Sequence, residues 1–181
     1  MELYFVSRRS LPSLVCLTLL SGPLLVMQPA SATVEAAFTP GQAQTLVLDS
    51  LAQSRSSIEL AAYSFTSKPV ALALVAAQQR GVQVRVLADD KANRASYSAV
   101  AFLANQGIPV RLNSKYAIQH SKFVVIDGRT VQTGSANYTA SAFSRNAENV
   151  VVIRDETAVA RAYQQEFERL WAEGTPLNSN Y

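Results

Sequence analysis

Cysteine and histidine are nearly missing from this 181-residue chain: Cys16 and His120 are the only ones. A lone cysteine excludes a disulfide framework within the chain and a thiolate metal cluster, and a lone histidine leaves no His-rich metal site. Charged residues are also sparse at 16%, and the formal net charge is only +3. That is too little to hold a polyanion by bulk electrostatics, so any anion chemistry has to be focused by particular side chains. Seven glycines and seven prolines are ordinary numbers, and no segment repeats at a fixed period, which removes collagen-like, solenoid and low-complexity classes. What is abundant is apolar: 49% of the residues are hydrophobic, enough for one compact core and far too many for a disordered chain.

The longest apolar run lies at the start. Arg8 and Arg9 precede residues 11–27, and Ala30-Ser31-Ala32 has the small-x-small pattern of a signal-peptidase site. Residues 1–32 are therefore expected to be a secretory signal peptide and 33–181 a single exported domain, periplasmic or secreted. An uncleaved membrane anchor is the first alternative, but Pro12, Ser21, Gly22 and Pro23 interrupt a run already short of the ~20 apolar residues a span needs. Lipid attachment through Cys16 is the second, disfavoured because the apolar run continues past the cysteine. Without its leader the domain has no cysteine, so its hydrophobic core alone must hold it. No amphipathic segment marks it for stable membrane association.

Thr39-Pro40-Gly41-Gln42 fits a helix start, with Thr39 as cap and Gln42 placed for a capping box, and Ala43, Leu46, Val47 and Leu51 follow as one apolar stripe. Residues 57–65 read as a strand, and Ser67 with Pro69 opens a helix that Gly81 ends. Val82, Val84 and Val86 alternate as the next strand, Asp89-Asp90 ends it, and a helix over 96–106 stops at Gly107. A short strand starts at Val110, 113–119 is a loop, and 120–127 is a strong strand. Asp127-Gly128 signals a hairpin to 130–133. A polar loop over 134–147 leads to a strand at 148–153, and a final helix over 156–172 carries Tyr163, Phe167, Leu170 and Trp171 on one side. Strands interleaved with helices predict a layered α/β sandwich whose mixed, largely parallel sheet is flanked by helices.

His120 and Lys122 stand two apart on the predicted strand, so imidazole and ammonium project from one face. A lone histidine in a strand is usually structural, but a lysine carried into an apolar strand is rare without a purpose. Together they make a site of phosphate size. Asp127 falls on the other parity, at the hairpin, where a supporting role in the turn is expected. Gly134-Ser135-Ala136-Asn137 offers backbone donors, a hydroxyl and an amide in a short span, and Glu148 opens the next strand. Asp89-Asp90 is considered as a divalent-metal ligand and set aside, because neighbouring strand residues diverge and no second His, Cys or acidic cluster accompanies them.

The spacing is His120-x-Lys122, four residues, Asp127, then six residues and Gly134-Ser135-x-Asn137. This resembles the signature motif of the phospholipase D superfamily at every one of those positions. Ala61-Ala62-Tyr63-Ser64-Phe65, Gln119-His120 and Ala147-Glu148-Asn149-Val150 are similar to its small single-motif bacterial endonucleases, the Nuc type. The resemblance implies a phosphodiesterase that works through a covalent phosphohistidine. His120 would be the nucleophile, Lys122 and Asn137 would hold phosphoryl oxygens, Ser135 would lie near the site, and Glu148 would orient a histidine. It implies no metal and no cofactor.

The superfamily usually carries two motif copies per chain, and this chain has one. Hydrolysis by a neutral imidazole needs a second group to protonate the leaving alkoxide and later to activate water. A homodimer placing two His120 side chains across one phosphate supplies both roles from one residue type. The leading expectation is an exported, metal-independent endonuclease on DNA, with RNA as a further substrate and little sequence preference, because only phosphate is gripped. Lys68, Lys91, Arg94, Lys115, Arg129 and Arg145 are candidates for lining its groove. The alternative enzyme is a phospholipase D that cleaves lipid headgroups, which would need an exposed apolar patch. A silent nucleic-acid-binding module is a third class, disfavoured because every motif position is intact.

Overall fold

The computed structural model describes residues 31–95 and 97–178, so the leader expected over 1–32 lies outside them except for its last two residues. Eight strands form one sheet in the order β1-β7-β6-β5-β2-β3-β4-β8. The strands are β1 (Thr33–Thr39), β2 (Ser57–Ala62), β3 (Gln83–Asp89), β4 (Val110–Asn113), β5 (Phe123–Ile126), β6 (Thr130–Gly134), β7 (Glu148–Arg154) and β8 (Thr175–Pro176). The helices are α1 (Ala43–Ala52), α2 (Lys68–Gln79), α3 (Ala99–Asn105), α4 (Ala140–Ser144) and α5 (Thr157–Glu173).

The mixed sheet flanked by helices is as expected, but its parallel share is smaller. Among the named strands, parallel pairing is confined to β2 with β3 and β3 with β4, the two places where a helix crosses over. The 127–129 turn makes β5 and β6 antiparallel, and β7, β1 and β8 also join antiparallel.

Alternation along the strands divides the core. Ile58, Leu60, Val124 and Ile126 face the cluster that also holds Val47 and Leu51 of α1, Val70 and Leu74 of α2 and Leu103 of α3. Ala61, Leu87, Phe123 and Val125 point to the other face, onto Phe167 and Leu170 of α5, with Tyr163 and Trp171 packed alongside. Arg85 locks α5 to the sheet. Its guanidinium pairs with Glu59 at 2.9 Å and with Glu168, and lies 5.0 Å from the Phe167 ring and 5.3 Å from that of Trp171.

The helix cap expected at Thr39, with its capping box, fails because Thr39 belongs to a strand. Residues 33–39 form an edge strand with only Ala37 and Thr39 buried, so no apolar alternation announces it. Its ladder runs from Thr33 opposite Arg154 to Thr39 opposite Glu148. Thr39 therefore does not cap α1: its hydroxyl accepts from the Glu148 N–H at 2.9 Å and donates to the Asn146 carbonyl at 2.8 Å. The capping box does not form, and α1 begins after Gln42 without a side-chain cap. Ser67 does cap α2, accepting from Val70 N–H, with Pro69 in the first turn. Within the expected polar loop, Thr139 caps the five-residue α4.

Candidate active site

β2 ends, β5 starts, β6 ends and β7 starts at one pole of the sheet, because Ala61 pairs with Phe123, Phe123 with Thr133, and Gly134 with Val150. The motif residues converge there. His120 and Lys122 lie just before β5 rather than inside a strand, which begins at Phe123. The turn-free segment still brings them together: Lys122 Nζ is 3.0 Å from His120 Nδ1 and donates to the His120 carbonyl at 2.6 Å. Lys122 is buried and His120 exposed. Burial pushes the Lys122 ammonium below its ordinary range, and the charge of Glu148 opposes part of that shift.

An ammonium has no lone pair, so for a neutral imidazole this contact assigns the lone pair to Nδ1 and the proton to Nε2. In that form the other ring nitrogen is a donor. Tyr63, expected within the 57–65 strand, leaves the sheet after β2 ends at Ala62. Its ring stands 4.6 Å from the His120 ring, and Lys122 Nζ is 5.3 Å from its centroid.

On the next strands, Thr133 Oγ1 donates to the Lys122 carbonyl at 3.1 Å, tying β6 to the lysine segment. Gly134 follows with φ +150°, where a Cβ would collide with the Asn149 carbonyl of β7. That close approach requires glycine. Ser135 donates to Glu148 Oε2 at 2.6 Å and accepts from Asn149 N–H at 3.0 Å. Asn146 donates to Glu148 Oε1 at 2.8 Å. The Ser135 and Asn146 donors, outweighing burial and helped by Lys122, hold the Glu148 carboxyl below its usual range. Glu148 makes no hydrogen bond to His120 of its own chain among the described residues. Asn137 is half-buried with Oδ1 unpartnered among the described residues. Next to it, fully buried Tyr138 fixes the loop by donating to Gln132 Oε1 at 2.8 Å and by accepting at its carbonyl from Thr66 and Ser67 N–H.

Asp127 lies at the other end of β5, as a supporting residue. Its carboxylate accepts from the N–H groups of Arg55, Ser56 and Ser57 and from the Ser56 hydroxyl, over 2.7–3.1 Å. The acidic pair considered as metal ligands splits. Asp89 is buried and accepts from Ala92 and Gln119 N–H, both at 2.8 Å, whereas Asp90 pairs with Arg94. Among the described residues no group of three His, Cys, Asp or Glu could hold a metal ion. Of the basic candidates, Lys68, Lys91 and Arg145 are exposed at this pole, Lys115 is paired with Glu173 at 2.7 Å, and Arg129 pairs with Asp155 at the far end. Sequence reasoning named Tyr63 only within the Nuc-like segment 61–65 and Asp89 only as a metal-ligand candidate, and gave neither a place beside His120.

A family described as "Cardiolipin synthase, PLD-like domain" matches residues 47–171. Nuc, a phospholipase D family member from Salmonella typhimurium, superposes with a TM-score of 0.81 at 38% identity, over 82% of this chain and 100% of that one. A mitochondrial cardiolipin hydrolase from Xenopus laevis is 40% identical over 135 residues, 75% of this chain and 64% of the hydrolase, so the chain spans less than two thirds of that relative. A phospholipase D from Rickettsia bellii is 37% identical over 141 residues, 77% of this chain and 70% of the relative. With the His120–Lys122 pair, Gly134 and Asn137 gathered at one pole of the matching fold, the chain belongs to the phospholipase D-like family.

Proposed function

We propose that the protein is an exported, metal-independent phosphodiesterase that cleaves DNA, and RNA as a further substrate, through a phosphohistidine in a site shared by two copies of the chain. The observation that carries the chemistry is the buried ammonium of Lys122 held 3.0 Å from the single histidine. The single-motif Nuc, which this chain covers completely, supports a nuclease. Exposed Lys68, Lys91 and Arg145 around the pole give a polyanion further points of contact.

One His120 uses an unprotonated Nε2 to attack phosphorus, forming the N–P bond while the P–O bond to the leaving group breaks. The second copy's His120, as an imidazolium with both ring nitrogens protonated, gives its Nε2 proton to the leaving alkoxide and becomes the neutral ring. It then takes a proton from water, whose oxygen attacks phosphorus and breaks the N–P bond. Lys122 and Asn137 hold the phosphoryl oxygens as charge builds on them. Each reacting ring carries Nδ1–H and needs an acceptor for it in place of Lys122, and a Glu148 carboxylate is suited to that, since it is ionised and each oxygen has a lone pair to spare.

A second reading, hydrolysis of a phospholipid headgroup, is favoured by side chains at the same pole. Phe38 is 64% exposed, Tyr97 77% and Ile118 49%, an apolar presence that the sequence pattern did not reveal. Among the described residues no helix is long and apolar enough to cross a membrane.

Incubation with plasmid DNA, RNA, and phosphatidylcholine and cardiolipin vesicles in excess EDTA separates the readings. Nucleic acid is expected to be cut at the rate seen without chelator. Lipid turnover with intact nucleic acid would establish the second reading instead.

A further inference from the structure

The imidazole of His120 is exposed, yet a nucleophile has to be aimed, and the groups that aim it are absent from the signature motif. Asp89, the last residue of β3, is 2% exposed and forms no ion pair among the described residues. A buried carboxylate without a counter-charge is costly unless backbone donors replace water. Here two do: Oδ1 accepts from Ala92 N–H and Oδ2 from Gln119 N–H, both at 2.8 Å. Gln119 is bonded directly to His120, so a charge-assisted bond fixes the backbone one residue before the imidazole.

Asn93 carries the same reference point to the other side of the ring. Its Nδ2 donates to the Asp89 carbonyl at 2.8 Å and to the Tyr63 carbonyl at 2.6 Å. Its Oδ1 accepts from Phe65 N–H and the Ser98 hydroxyl, both at 3.0 Å. Both donor protons and the acceptor oxygen are therefore used in a residue 3% exposed. Tyr63, whose ring lies 4.6 Å from that of His120, is thus anchored to the end of β3, as is Gln119.

We propose that Asp89, with Asn93, is a positioning residue for His120: it fixes the imidazole through the backbone at Gln119 and through the ring of Tyr63. This rests on the phosphodiesterase reading for its kinetic consequence but not for its geometric one. Asp89 acts through the histidine and does not touch substrate.

The test uses the full chain, whose single histidine gives one set of imidazole signals in ¹H–¹⁵N spectra, with bis(p-nitrophenyl) phosphate as the phosphodiester probe. Asp89→Asn is expected to lower kcat roughly 10- to 100-fold while KM stays within about two-fold, as a small misplacement of a reacting group does. The His120 ring signals should shift as well. Asp89→Ala should lose more. Ser54→Ala removes a buried hydroxyl bond to the Leu51 carbonyl far from the site. It is expected to lower Tm comparably while leaving kcat and the His120 signals unchanged.

Wild-type kcat and wild-type His120 signals in Asp89→Asn would overturn the proposal. So would an equal kcat loss in Ser54→Ala, or unfolding of both Asp89 variants, which would make the residue purely structural. A wild-type protein that cleaves no phosphodiester would end the functional reading, while the spectra would still decide the role of Asp89.

Discussion

Gly134 lies against the backbone of Asn149 and Val150 so tightly that a Cβ would collide with the Asn149 carbonyl and stand 3.0 Å from Val150 Cα. The Asn149 carbonyl also accepts from Ser135 N–H at 3.1 Å, so the contact aligns Ser135 with Glu148. Gly134→Ala combines this collision with a φ that L residues avoid, and is expected to cost about 3 kcal/mol. In a chain of this size that is a fall in Tm of roughly 6–12 °C. Calorimetry checks it, and an unchanged Tm would show that β6 and β7 can separate freely.

In the proposed mechanism Lys122 must be an ammonium to hold phosphoryl oxygens. Burial lowers its pKa and Glu148 partly restores it, so kcat/KM is expected to fall at alkaline pH with a midpoint below the ordinary lysine value of about 10.4. Removing the Glu148 charge removes the restoring influence. The midpoint in Glu148→Gln should therefore move lower still. Rate profiles of the two proteins measure it, and an upward move would contradict the sign.

Asp127 is tied to stability rather than turnover. Burial would raise its carboxyl, but the N–H groups of Ser57, Ser56 and Arg55 and the Ser56 hydroxyl outweigh burial and hold it below its usual range. A depressed folded value stabilises above the unfolded pKa of about 3.9, and that contribution is lost as pH falls through the folded value. Asp127→Asn should cost about 1 kcal/mol at pH 7, modest because the site is half-exposed and screened. The gap should narrow on acidification below about pH 4, and kcat should stay within roughly two-fold. Urea unfolding at several pH values and a rate assay test the two halves.

His120→Ala should leave the fold intact, since the side chain is exposed, and lower kcat by at least ~10⁴-fold. If two copies share one site, equal amounts of wild-type and variant chains should keep roughly a quarter of the activity after exchange rather than half, because hybrids lack either nucleophile or acid. Full activity of a sedimenting monomer would end the shared-site mechanism.

By itself the sequence determined what depends on near neighbours along the chain. The apolar stripe of α5 placed Phe167 and Leu170 against the sheet, Phe123–Ile126 specified a strand buried on both faces, and fixed spacing identified His120, Lys122, Gly134, Ser135 and Asn137 as one constellation. Periodicity and turn chemistry are local properties, and a signature motif is a local record of a site. Only the tertiary structure decided what long-range pairing controls. An exposed edge strand such as β1 is held by backbone bonds to β7, more than 100 residues away, which leave no side-chain pattern to read and which divert Thr39 from the helix cap. The same holds for Tyr63 at the His120 ring, Asp89 at the Gln119 N–H and Asp127 at the Arg55–Ser57 turn. Each partner lies dozens of residues away, and a carboxylate or a phenol carries no mark of which distant donor or ring the closed sheet will bring to it.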